Sequence, residues 1–225
     1  MQTMISVLTR KKEETHDIKT FRFAGSMDFR PGQFVMLKVG EKSEAFSVCS
    51  SPTEKDYMDL TMKMTDSDYK RALDAAAIGD SFEIKGPYGV FLLDENRDAV
   101  MLAGGIGVTP FMSMIKYATA KKLPAKITLL YSSRTPEDIA FRKELEELQK
   151  ENKNLRVIHT VTRAEGLQWS GRKGRIDENM IREFLKRQPV FYVCGPPAMV
   201  DGTVQILKDI DIEENRIKRE KFTGY

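Results

Sequence analysis

Seven consecutive residues, Gly104-Gly105-Ile106-Gly107-Val108-Thr109-Pro110, carry the densest chemistry in this chain of 225 residues. Ahead of them runs Ala99-Val100-Met101-Leu102-Ala103, an apolar stretch of the kind buried on both faces of a parallel sheet. Behind them, Phe111 to Ala118 has helical spacing, and Pro110 suits a first helical turn because its missing N–H would be unpaired there anyway. A strand, a glycine turn and a helix start bring several backbone N–H groups and a positive dipole end to one point, which is a cradle for a pyrophosphate. Glycine admits a ligand where any Cβ would block it. The same corner can also be no more than a tight turn. A second corner at Cys194-Gly195-Pro196-Pro197-Ala198-Met199, again after an apolar strand, favours the ligand reading.

These corners need a framework, and the chain supplies two rhythms. From residue 1 to about 97 it reads as short strands: the opening segment, 20–23, 33–39, 57–64 and 81–85. Turn formers at Pro31-Gly32, Ser51-Pro52-Thr53 and Gly79-Asp80 separate them, which suggests a small antiparallel barrel. One helix interrupts it, roughly Asp66 to Ala77, with Ser67 as a possible cap. From about 98 to 225 strands alternate with helices: strands at 99–103, 126–131, 155–161 and 190–194, helices near 109–121, 135–151, 177–187 and 196–210. Asp177 is placed to cap the third of these helices. Such alternation implies a parallel α/β sheet of Rossmann type, with ligands at the C-terminal ends of its strands. The boundary falls in the polar run Asp94-Glu95-Asn96-Arg97-Asp98, giving domains 1–97 and 98–225.

Composition excludes several classes. The net charge of +3 comes from 36 basic and 33 acidic residues with no long basic run, so nucleic acid is not the expected partner. The surplus can still steer an acidic protein. No run of eighteen apolar residues occurs, and the start reads as a strand, so neither a membrane span nor a signal peptide is expected. Cys49 and Cys194 are the only cysteines, too few for an iron–sulfur cluster or a zinc site, and no metal is expected. Both are expected reduced, in a cytoplasmic protein.

Four motifs in order resemble the ferredoxin–NADP reductase family of flavoproteins over nearly the whole chain. Glu44-Ala45-Phe46-Ser47-Val48-Cys49-Ser50-Ser51-Pro52 stands where the family has its Arg-x-Tyr-Ser motif. Lys85-Gly86-Pro87-Tyr88-Gly89-Val90-Phe91 matches its Gly-Pro-x-Gly-x-Phe segment, and Gly104 to Pro110 and Cys194-Gly195-Pro196 match its two nicotinamide-nucleotide loops. The resemblance implies a six-stranded antiparallel flavin-binding barrel followed by an α/β nucleotide-binding domain. It implies FAD, ahead of FMN, held by Phe46, Ser47, Val48, Gly86, Pro87 and Gly89. NADP or NAD would be held by Gly104, Gly105, Gly107, Thr109, Pro110, Cys194, Gly195, Pro196 and Met199. Phe46 would offer an aromatic face to the flavin and Ser47 a hydroxyl near its N5.

Glu44 departs from the family, which has an arginine there for the flavin pyrophosphate; a carboxylate would repel it. Lys63, Lys70 and Arg71 are candidate substitutes, and Lys70-Arg71 can equally be a solvated helix face. At the C-terminus, Tyr225 is either a lid on the flavin, as in several family members, or a frayed end.

The implied reaction is hydride transfer between the nicotinamide C4 and flavin N5, which needs reacting atoms roughly 3–3.5 Å apart. Ser47, Cys194 and Tyr225 are the residues it would involve, Cys194 by position beside C4 and not as a nucleophile, since neither His16 nor His159 pairs with it in any motif. The second strand ends Tyr131-Ser132-Ser133-Arg134 with no acid before Glu137, and the third ends Thr160-Val161-Thr162-Arg163. Ser133, Arg134, Thr162 and Arg163 therefore suit a 2′-phosphate, and NADPH over NADH. Electrons would pass singly to or from a separate ferredoxin-like carrier. Two other outcomes stay open: a reductase of small-molecule acceptors, and a nucleotide- and flavin-binding subunit of a larger complex.

Overall fold

Alternating burial along the first segments builds an antiparallel sheet. In the computed structural model, which describes residues 2–223, six strands come first: β1 (Gln2–Glu13), β2 (Ile18–Ala24), β3 (Phe34–Val39), β4 (Lys42–Ser47), β5 (Tyr57–Lys63) and β6 (Ser81–Tyr88). Their order is β4-β3-β6-β1-β2-β5, every pairing antiparallel. A bridge between Val48 and Leu60, with the Cys49 N–H donating to the Asp59 carbonyl at 2.9 Å, ties the two ends of this sheet together. Inward side chains, among them Leu8, Phe21, Phe23, Val35, Leu37, Met58 and Ile84, form its core.

Helix α1 (Asp68–Ala75) covers the β3 side of this core. It is shorter than the sequence expectation because Ser67 Oγ accepts the Lys70 N–H at 3.2 Å and starts the helix there. The Tyr69 hydroxyl donates to the Leu37 carbonyl at 2.7 Å and Leu73 is fully buried, which pins the helix to the barrel.

The later elements are β7 (Ala99–Gly104), α2 (Thr109–Ala120), β8 (Ile127–Ser133), α3 (Arg142–Glu151), β9 (Leu155–Val161), β10 (Arg172–Lys173), α4 (Glu178–Arg182), β11 (Val190–Gly195), α5 (Pro197–Asp209) and β12 (Ile217–Lys221). The strands form one parallel sheet, ordered β10-β9-β8-β7-β11-β12. β7 and β11 are buried along their whole length, as central strands of a parallel sheet must be.

Two helices are shorter than periodicity suggests. The expected 135–151 helix begins only at Arg142. Asp138 spends its carboxylate on the Thr135 N–H and hydroxyl, and Phe141 takes a left-handed conformation at φ 59°. The expected 177–187 helix, capped by Asp177 as read, stops at Arg182, and Arg187 and Gln188 carry positive φ. The chain folds as two compact units. One runs to Leu93 and takes in Thr109–Ala120; the other comprises Asp94–Val108 and the chain from Lys121 on. Helix α2, which chain order assigns to the second half, thus belongs with the first unit.

Candidate functional site

In the second unit β7 ends at Gly104, and Gly105–Val108 makes a single 3-10 turn before α2 begins. Gly105 sits at φ 52° with open space where a side chain would stand. A Cβ on Gly107 would lie 2.4 Å from the Cys194 carbonyl oxygen, so only glycine allows the two corners to close on each other. Gly104 faces Pro196 and Met199, at 3.2 and 3.3 Å from its hypothetical Cβ. Gly104, Gly105, Gly107, Cys194, Gly195, Pro196 and Met199 therefore form one cluster, with Thr109 and Pro110 following as the first residues of α2. The open cradle at Gly105 fits a nucleotide pyrophosphate.

The ends of β8 and β9 are stitched together. The Thr162 N–H donates to the Ser133 carbonyl at 3.0 Å and the Arg163 N–H to the Arg134 carbonyl at 2.8 Å. Arg134 and Arg163 are exposed and make no ion pair among the described residues. A cavity of about 240 Å³ opens at the end of β9, lined by Val161, Thr162, Ala164, Glu165, Lys173 and Gly174.

Cys194 is fully buried at the end of β11, and burial, followed by the neighbouring Glu220, pushes its thiol well above the usual range. A thiol so shifted carries little thiolate at neutral pH. Its register partner on β12 is Glu220, a residue whose role sequence reasoning missed. One carboxylate oxygen of Glu220 is buried with no hydrogen-bond partner among the described residues, and burial raises its pKa to about 7. Its local sequence carried no signal, because only the pairing of β12 with β11 brings Cys194 beside it. Beyond it, the Phe222 N–H donates to the Gly195 carbonyl at 2.9 Å. Tyr225 lies outside the described residues.

The first unit separates the residues read as flavin contacts. Ser47 and Val48 are buried where β4 turns toward Leu60. Gly86 and Pro87 join through a cis peptide bond, Gly89 follows at φ 95°, and Phe34 stacks on Tyr88 with centroids 5.6 Å apart. Phe46 differs from expectation. Its ring is 5% exposed, with Lys70 Nζ 4.0 Å from the centroid and the Tyr69 ring at 6.1 Å, so α1 covers the face that was expected to be open. The three candidate cations also part company. Lys63 reaches Asp17 at 3.1 Å, Arg71 is exposed and paired with Asp66 and Asp68, and Lys70 alone is buried, 3.0 Å from Glu44 Oε2. A buried cation beside the motif is the feature here that fits a phosphate-bearing flavin.

Two family models match the chain in succession, and the second takes in α2. A family model described as an oxidoreductase FAD-binding domain matches residues 6–92, and one described as an oxidoreductase NAD-binding domain matches 101–205. The chain is 30% identical to a glycine betaine monooxygenase reductase subunit from Chromohalobacter salexigens, over 93% of this chain but 61% of that relative's length. It is also 30% identical to NADH-cytochrome b5 reductase 1 of Aspergillus oryzae, over 87% of this chain and 75% of the relative. Among solved structures, the cytochrome b5 reductase domain of Ulva prolifera nitrate reductase superposes with a TM-score of 0.82 at 26% identity, covering 97% of each chain. No helix among the described residues is long and apolar enough to cross a membrane.

Proposed function

Because the chain belongs to the ferredoxin–NADP reductase family of FAD- and NAD-binding oxidoreductases, we propose that it exchanges a hydride with NADPH and passes electrons singly to a separate carrier protein of ferredoxin type. The observation that carries this reading is the single cluster of glycine corners around Gly107 and Cys194, in a chain that also holds an FAD-binding domain. FAD, when bound, supplies the capacity to take up a hydride and release its electrons one at a time. The chain's own residues do the rest. Gly104, Gly105 and Gly107 let a pyrophosphate approach backbone N–H groups, and Gly195, with Pro196 and Met199 beside it, borders the same corner. Ser47 is the hydroxyl assigned to the flavin edge, and Tyr225 the ring assigned to its face. Arg134 and Arg163, each preceded by a hydroxyl residue, Ser133 and Thr162, are the 2′-phosphate contacts.

A second reading has its own support. The chain spans about three fifths of the length of the first monooxygenase reductase relative, and that relative is named as a subunit. A reductase component serving a partner oxygenase is therefore the alternative to a free ferredoxin reductase. The absorption spectrum and mass of the released cofactor test the flavin first. Turnover with reduced nicotinamide and ferredoxin, quinone or free flavin as acceptor then decides between carriers. Ferredoxin turnover supports the first reading; activity with quinones or free flavin alone refutes it. A colourless protein that binds NADPH without turnover would point to a nucleotide-binding subunit.

A further inference from the structure

Lys70 is a buried ammonium with too few partners. Its side chain is 6% exposed, and the one charged acceptor it reaches among the described residues is Glu44 Oε2 at 3.0 Å. An ammonium has three N–H groups to satisfy. Its other neighbours are the Met62 thioether, 3.6 Å from Nζ, and the rings of Phe46 and Tyr69. A sulfur and two rings replace water poorly. Burial accordingly pulls the Lys70 amine below its usual range, with Glu44 acting in the opposite direction.

The two members of the pair are not equally free. Lys70 stands in the first turn of α1, which is held by the Ser67 cap and by the Tyr69 hydroxyl on Leu37. The Glu44 side chain is 39% exposed, on the edge strand β4, and can turn into water. An anion arriving on that side can take the carboxylate's place and leave the buried cation neutralised throughout. Exchange of one anion for another avoids the large cost of leaving a buried ammonium alone.

This rests on the FAD reading of the barrel. We propose that Lys70 is the cation that receives a phosphate of the flavin, and that Glu44 is its exchangeable placeholder, displaced when that phosphate binds. The glutamate at the family's arginine position is then matched to Lys70, and it sets how tightly the flavin is held. Arginine at position 44 would face Lys70 with no anion between them, so a simple reversion is expected to destabilise the barrel.

The test is titration of flavin-stripped protein with FAD, FMN and riboflavin, read by quenching of flavin fluorescence. Glu44→Gln keeps the shape and removes the competing charge, and should tighten FAD and FMN by about tenfold or more, the size of one charge-assisted contact, while leaving riboflavin unchanged. Lys70→Met should weaken FAD and FMN by a similar factor and again spare riboflavin. Thermal melting supplies a second readout: Glu44→Gln should melt lower than wild type without flavin and gain more on adding FAD. Unchanged FAD affinity in Glu44→Gln, or equal shifts for FAD and riboflavin, would overturn the exchange and make the pair purely structural. Should Lys70→Met fail to fold, the Glu44→Gln arm decides alone. A wild-type protein that binds none of the three flavins would overturn the barrel reading itself, an outcome distinct from phosphate-independent binding.

Discussion

Two half-buried titratable groups in the parallel-sheet unit lean in opposite directions. His159 is held neutral because burial, and then the nearby Arg142, lower its pKa to about 4, while burial raises Glu220 to about 7. For His159 the folded value lies below the unfolded value near 6.5, so its contribution is present above 6.5 and is lost as pH falls toward 4. For Glu220 the folded value lies above the unfolded value near 4.5, so its contribution is present below 4.5 and is lost as pH rises through 7. Between those limits each has a slope approaching about 1.4 kcal/mol per pH unit, and the two oppose each other. Wild-type stability, measured by urea unfolding from pH 4.5 to 6.5, should therefore be nearly flat. Glu220→Gln should expose a rise with pH and His159→Phe a fall; parallel curves for all three proteins would show that neither group titrates as its burial requires. The exposed arginines give a second expectation at this scale. Arg134→Ala or Arg163→Ala should each lower the NADPH/NADH ratio of kcat/KM by about ten- to a hundredfold. Ratios equal to wild type in both variants would assign the site to NADH.

At the scale of elements, the corner between β7 and α2 is tied to the end of β11 through backbone approach. Gly107→Ala would place a methyl 2.4 Å from the Cys194 carbonyl, and backbone cannot swing aside as a flexible side chain can. The variant should lose about 1–3 kcal/mol of stability from overpacking and bind NADP⁺ at least tenfold more weakly. Gly105→Ala is the control, since nothing lies within 4 Å of its Cβ position and only its φ of 52° is strained. It should keep most of the stability while still weakening nucleotide binding by filling the cradle. Equal nucleotide affinity in wild type and both variants, by calorimetry, would remove the glycine corner from the site. β12 works in the same way: its parallel register sets Glu220 beside Cys194, and the Phe222 N–H on the Gly195 carbonyl continues the pairing past the strand's end.

At the scale of the whole chain, each unit has its own core, yet the units are not sequential segments. Helix α2 groups with the barrel unit, where Phe111 lies 5.8 Å from Phe91 and the Met114 side chain lies against Gly32. A fragment ending at Arg97 therefore leaves that apolar surface bare. It should melt less cooperatively than the full chain and bind a hydrophobic dye. A fragment with a sharp melt and no dye binding would mean that the barrel core suffices without α2.

Much of this was legible in sequence because it is local. Apolar runs such as 99–103 and 190–194 bury themselves whatever their partners, and Ser67 and Asp177 cap helices through hydrogen bonds three residues away. The four motifs carried the family, and with it the barrel and the parallel sheet. Pairings between distant segments were decided only by tertiary structure. Which of Lys63, Lys70 and Arg71 is buried depends on how α1 lies against β3 and β4, and no spacing within the helix encodes that. The same holds for Phe46, whose aromatic character was plain but whose face is covered by a residue twenty-four positions away. Glu220 became a buried carboxyl only when β12 took its place beside β11, because desolvation is a property of neighbours and not of residue type.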